Sequence, residues 1–211
     1  MKLRHLFLAV LCFALLSGCQ KAEEPSRFIM PDVVVAISPF SQPTQTSELL
    51  SGFIPEGQKE VSDKKLAELD SLFHSKLNSG KHKFVFLSQA DIDGPMTKDE
   101  RGRRNALVTW AERAVKAGAD MIVVPQVIEL QAREGSEAGV ITAAAVNMDI
   151  YLIDARKPFT LLQRTHFSEE QQALINDLTK IGSFFRRGGK WISDIELAGE
   201  GMDKAVEEMG L

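Results

Sequence analysis

From Val140 to Leu152 the chain alternates: Val140, Thr142, Ala144, Val146, Met148, Ile150 and Leu152 share one parity, with Asn147 and Asp149 on the other. A period of two over thirteen positions is a strand signature, and it predicts one long strand with a core face and a wetter face. Asp154 to Pro158 reads as a turn and Phe159 to Phe167 as the returning partner. A hairpin of that length cannot stand alone in water, so the rest of the chain must cover it.

The covering elements precede and follow it. Asp32 to Phe40 (DVVVAISPF) is a β-branched run stopped by Pro39, a strand buried on both faces. Residues 41–60 are rich in Ser, Thr, Gln, Gly and Pro and read as a long loop, a kind of segment that is often functional. Ser62 caps a helix carrying Leu66, Leu69, Phe73 and Leu77, which ends at Asn78 and Gly80. Lys83 to Ser88 is a second strand. After the turn Asp93-Gly94-Pro95, Thr97 is placed as the cap of a second helix with the stripe Leu107, Trp110, Ala111, Ala114 and Val115, closed by Gly118. Met121 to Val124 is a third buried strand, after which Pro125 is expected to force a bulge or an edge position. Beyond the hairpin, Ser168 with Gln171 reads as a capping box for a helix with Leu174, Leu178 and Ile181. Ser193 with Glu196 reads as another, for a last helix carrying Leu197, Ala198, Gly201, Met202, Ala205 and Met209. The order β-α-β-α-β-β-β-α-α predicts an α/β (α+β) fold: a mixed sheet of about five strands with helices packed on it, three layers at most.

The N-terminus is of another kind. Lys2 and Arg4 precede the apolar run Leu6 to Leu16, and Ser17-Gly18-Cys19 follows. The run is too short to span a bilayer, and the layout is that of a secretory signal. Residues 1–18 are read as signal peptide, 19–31 as a lipidated, proline-containing tether, and 32–211 as one periplasmic domain. Cys12 leaves with the signal, so the mature chain holds Cys19 alone and no internal disulfide or cysteine metal site forms. Removing Lys2 and Arg4 from the 25 basic residues leaves 23 against 29 acidic ones, a formal charge of −6. An acidic chain argues against a nucleic-acid partner. The body must fold on its hydrophobic core, and 211 residues with 44% apolar content suffice for that.

The ending Leu16-Ser17-Gly18-Cys19 resembles the lipobox of bacterial lipoproteins. The resemblance implies a diacylglycerol on the Cys19 thiol and an N-acyl chain on its amine, with no other cofactor. Gln20, in place of the aspartate that retains lipoproteins at the inner membrane, implies the periplasmic face of the outer membrane. The body resembles the periplasmic family that includes CsgG, the N-terminal domain of TolB and LpoB. The resemblance rests on the first strand ending in Pro39-Phe40, on Ala117-Gly118-Ala119-Asp120 before Met121 to Val124, and on the long strand ending in Tyr151-Leu152-Ile153-Asp154-Ala155 before a hairpin and a C-terminal helix. It departs at Pro125 and from Phe167 through Trp191. It implies binding and assembly roles, with an envelope protein or a second copy as partner, and supplies no catalytic residue.

Candidate chemistry is sparse. His74, His82 and His166 have no metal-ligand spacing, and satisfied or exposed histidines explain them. Asp91 and Asp93 flank a turn, and Glu169 and Glu170 fall in an expected first helical turn, where the helix dipole favours acids. Arg186-Arg187-Gly188-Gly189, flanked by Phe184, Phe185 and Trp191, has two readings. It grips an anion or a partner's acidic strand, or it caps a helix C-terminus with glycine in the left-handed position, the reading the neighbouring aromatics favour. The leading functional reading is a non-enzymatic binding or assembly module of the envelope. The alternatives are a CsgG-like oligomeric secretion pore, whose spanning hairpin Gln163, Arg164 and His166 disfavour, and an envelope hydrolase.

Overall fold

The computed structural model describes residues 28–77, 82–99, 101–136, 140–171 and 187–211. Its centre is a five-stranded mixed sheet. The strands are β1 (Val34–Ile37), β2 (Lys83–Phe86), β3 (Met121–Gln131), β6 (Ala145–Asp154) and β7 (Thr160–Glu170), in the order β2-β1-β3-β6-β7. β1 is parallel to both its neighbours, and β3, β6 and β7 run antiparallel in succession. A short ribbon of β4 (Glu134–Gly135) and β5 (Val140–Thr142) extends the β3–β6 hairpin. The described helices are α1 (Asp63–Leu77), the single turn α2 (Gln89–Ile92), α3 (Ala106–Lys116) and α4 (Asp194–Met209).

Both faces of the sheet are covered. On one, Leu69 and Phe73 of α1 and Leu197, Met202 and Met209 of α4 meet Val35, Ile37, Val123, Met148, Ile150 and Leu152. On the other, Trp110, Ala111 and Ala114 of α3 pack with Ala36, Ile122, Val124, Tyr151 and Ile153. The three-layer architecture agrees with the sequence reading. β1 is closed at its start by Asp120, whose carboxylate accepts the Val34 N–H (3.2 Å) while its own N–H donates to the Val34 carbonyl (2.9 Å). This is the work of the Ala-Gly-Ala-Asp turn. At the same end the Phe28 N–H donates to the Glu208 carbonyl (3.2 Å), and His82 Nε2 bonds the carbonyl of Gly210, whose left-handed backbone (φ 67°) caps α4.

Several elements differ from expectation. Pro125 lies neither at a bulge nor at an edge. It sits within β3, the middle strand, paired with Ile150, and the register shift comes later, between Val127 and Glu129. The missing N–H costs no ladder bond because β1 has already stopped at Ile37. The Pro125 carbonyl and the Val127 N–H instead bond the backbone of Ser41 on that side. The expected strand from Val140 breaks at Ala143–Ala144, where Gln131 Nε2 and the Gln171 N–H take the two carbonyls, and Ile141 lies exposed. The expected wetter face of β6 is dry at Asp149, which is buried, while Asn147 stays half-exposed. β7 continues to Glu170, pairing Ser168 with Asn147, so Ser168 starts no helix there and Glu169 and Glu170 belong to a strand. The helix expected over Leu174 to Ile181 lies outside the described residues. Asn105, not Thr97, caps α3, its side chain accepting the Val108 N–H; Thr97 bonds Thr109 and Glu112 instead. Val115 of the expected stripe is exposed.

Candidate functional site

The parallel strands run out at one end of the sheet, where their connections part. The chain leaving β1 passes to α1 on one face, and the chain leaving β2 passes through α2 to α3 on the other. Open α/β sheets bind ligands where such loops diverge. The 41–60 loop, with a 3-10 turn at Thr46–Glu48, folds over this end and is held by three glutamine carboxamides. Gln126, 1% exposed, donates Nε2 to the Glu48 carbonyl (2.9 Å) and accepts the Leu50 N–H. Gln42 donates to Lys59 and accepts the Val61 N–H, and Gln58 donates to Ile128. Two clefts flank Ser41 and Gln42, which line both.

The larger cleft, about 710 Å³, lies between α1 and the ends of β1 and β2. Asp70 and His74, one helical turn apart, line it with Ser88 and Gln89. Asp70 accepts the Phe40 N–H at 2.6 Å. Burial raises its pKa above the usual aspartate value, and the Phe40 N–H and His74 pull less strongly the other way. A carboxyl raised in the folded state favours folding below its unfolded pKa and loses that contribution as pH rises through the folded value. Asp70→Asn keeps an acceptor for Phe40 without the titration. Its urea midpoint relative to wild type should therefore climb between the ordinary aspartate pKa of about 3.9 and neutrality. A constant difference across that range would contradict the assignment.

The smaller cleft, about 170 Å³, opens on the other side of Ser41, against α3. Trp110 and Arg113 line it, the guanidinium lying 4.6 Å from the indole centroid, with Ile92, Met96, Pro43 and Glu48 opposite. Beyond the clefts, the buried Asp149 carboxylate binds Arg164 through two bonds (2.8 and 3.0 Å) and His166 Nδ1 (2.9 Å). Beside them the Tyr151 hydroxyl donates to the Ser51 carbonyl (3.3 Å). Its burial and the Asp149 charge push its pKa up.

Of the residues singled out in the sequence, Cys19 and Arg186 lie outside the described set. Arg187 turns inward and grips Glu200 of α4 through both nitrogens (2.7 and 2.6 Å), which raises its pKa above the usual arginine value. Gly188 and Gly189 take left-handed backbone (φ 70° and 72°), which glycine alone adopts freely. Asp91 closes a capping box on Ser88, and Asp93 accepts from Gln89. His74 lies against Phe86. Sequence reading did not single out Asp70, Arg113 or Gln126. The one local signal was Arg113 three positions after Trp110, a spacing that stacks the two on a helix.

Among the described residues no group of His, Cys, Asp and Glu forms a metal site, and no helix is long and apolar enough to cross a membrane. No protein-family model matches the chain, and no curated protein matches its sequence. Among solved structures it is similar to the hypothetical protein CT253 from Chlamydia trachomatis, at 16% identity over 72% of this chain and 81% of that one, with a TM-score of 0.38. It is similar to the PelC dodecamer from Paraburkholderia phytofirmans at 12% identity over 84% and 87%, with a TM-score of 0.47. Lipoprotein GNA1162 from Neisseria meningitidis is similar at 15% identity over 75% and 97%, with a TM-score of 0.39.

Proposed function

We propose that this chain is a lipoprotein of the bacterial envelope that works as a non-enzymatic binding or assembly module, held by lipid on Cys19 at the periplasmic face of the outer membrane. The observation that carries the reading is the apolar run Leu6 to Leu16 ending in Ser17-Gly18-Cys19. Small residues before a cysteine suit the peptidase, and the cysteine thiol is the nucleophile that lipid attachment needs. Each buried methylene contributes about 0.8 kcal/mol, so a diacylglycerol with an N-acyl chain anchors stably where one chain would not. Gln20 in place of aspartate supports outer-membrane sorting. The resemblance of Pro39-Phe40, of the Ala117 to Asp120 turn and of the Tyr151 to Ala155 strand end to the family of CsgG, TolB and LpoB supports a binding role, with an envelope protein or a second copy as partner.

Cys19→Ala tests the anchor. Metabolic labelling with radioactive palmitate should mark the wild-type protein and leave the variant unmarked, and the variant should move from the membrane to the soluble envelope fraction. A variant that still carries label would defeat the proposal.

A further inference from the structure

The small cleft against α3 holds a cation with an unusual lack of partners. Arg133, Arg187 and Arg113 are the half-buried arginines among the described residues. Arg133 donates to the Trp191 carbonyl and Arg187 to the Glu200 carboxylate. The Arg113 guanidinium has no hydrogen bond or ion pair among the described residues. It lies over the Trp110 ring, whose face attracts a cation without using any of the five N–H donors. Burial pushes its pKa below the usual arginine value, and the Asp93 charge only partly offsets this. A half-buried guanidinium whose donors are not spent on the protein is a site that an anion completes, with two parallel bonds to a planar acceptor.

The surroundings select the anion. The cleft is about 170 Å³, room for a small group and little more. Ile92, Met96 and Pro43 give it apolar walls that suit a short hydrocarbon stem. Glu48 sits in the same wall, its Oε2 accepting the Thr44 and Gln45 N–H groups. Arg113 and Glu48 carry opposite charges, so the cleft has little net positive charge to offset the second charge of a dianion. We propose that this cleft binds the carboxylate of a small monocarboxylic acid, with Arg113 as its clamp on the Trp110 platform. The site goes beyond the anchored-module reading and stands or falls separately from it, because palmitate labelling of Cys19 does not involve the cleft.

Trp110 supplies the readout. In the full mature lipoprotein in detergent, with Trp191→Phe so that Trp110 alone emits, propionate should shift the emission saturably at constant ionic strength. Inorganic phosphate should give no saturating shift. Arg113→Gln should weaken propionate binding at least about tenfold, the scale of losing a charge-assisted pair, and Arg113→Lys should weaken it less. Calorimetric titration of the protein with both tryptophans should return the same constant, so the result does not depend on how Trp191→Phe folds. The proposal is overturned if propionate produces no saturable signal in either measurement. It is also overturned if Arg113→Gln binds as tightly as wild type with unchanged near-ultraviolet circular dichroism, or if phosphate binds more tightly than propionate.

Discussion

Gly201→Leu is expected to destabilise the domain by about 3 kcal/mol or more, lowering the melting temperature by roughly 6–12 °C for a chain of this size. Gly201 lies in α4 where the helix crosses β6 and β7. A Cβ built there would stand 2.6 and 2.8 Å from Cγ and Cδ1 of Phe167 and closer still to the end of Met148. Met148 has a flexible tip and yields, but Cγ is the root of the Phe167 ring and moves only if χ1 leaves its rotamer or the strand shifts. Even Gly201→Ala should cost about 1 kcal/mol net, because overpacking of about 1–3 kcal/mol exceeds the gain of about 1 kcal/mol from replacing glycine in a helix. An alanine variant that melts above wild type would refute this account of the α4 crossing.

The second large effect concerns Asp149, whose side chain is 3% exposed. Arg164→Ala removes the guanidinium that holds both its oxygens and leaves a buried carboxylate facing only His166 and the Tyr151 hydroxyl among the described residues. Breaking a buried pair from one side costs about 3–5 kcal/mol, and about 3 is expected here because the Arg164 head, 34% exposed, already meets water. The double variant Asp149→Ala, Arg164→Ala should be more stable than Arg164→Ala, since no charge is left stranded. Urea unfolding of the two singles and the double decides it, and simple additivity would show that the pair is not coupled.

Helix α4 was legible in full because every signal for it is local. Ser193 and Glu196 form the capping box, and Leu197, Ala198, Gly201, Met202, Ala205 and Met209 are buried as their spacing implies. The same chemistry misleads at Ser168 and Gln171. A capping pattern states only that a helix is able to start, and the β6 edge offers Ser168, Glu169 and Glu170 a full ladder instead. Asp149 had no local signal of burial, since a carboxylate on the second face of an alternating strand reads as solvated until Arg164 and His166 arrive from the next strand. Pro125 was misplaced for a similar reason: whether its missing donor matters depends on where β1 stops. The clefts were least visible. Asp70, Arg113 and Gln126 are far apart in sequence, and the two crossovers bring them to one end of the sheet. Only the length and polarity of the 41–60 loop pointed there.

The clasp between Phe28 and the end of α4 fixes where the N-terminal segment joins the domain. Nine peptide steps separate Cys19 from Phe28, a reach of roughly 30 Å when fully extended. Phe28 is fastened beside Glu208 and Gly210, with His82 just before β2, so the leash is tied at the amino ends of β1 and β2. Ser41 lies seven residues along from Val34, roughly 20 Å further down the sheet. If Cys19 carries lipid as proposed, that leash joins the domain at the end of the sheet opposite the clefts, and leaves their mouths clear of its attachment point.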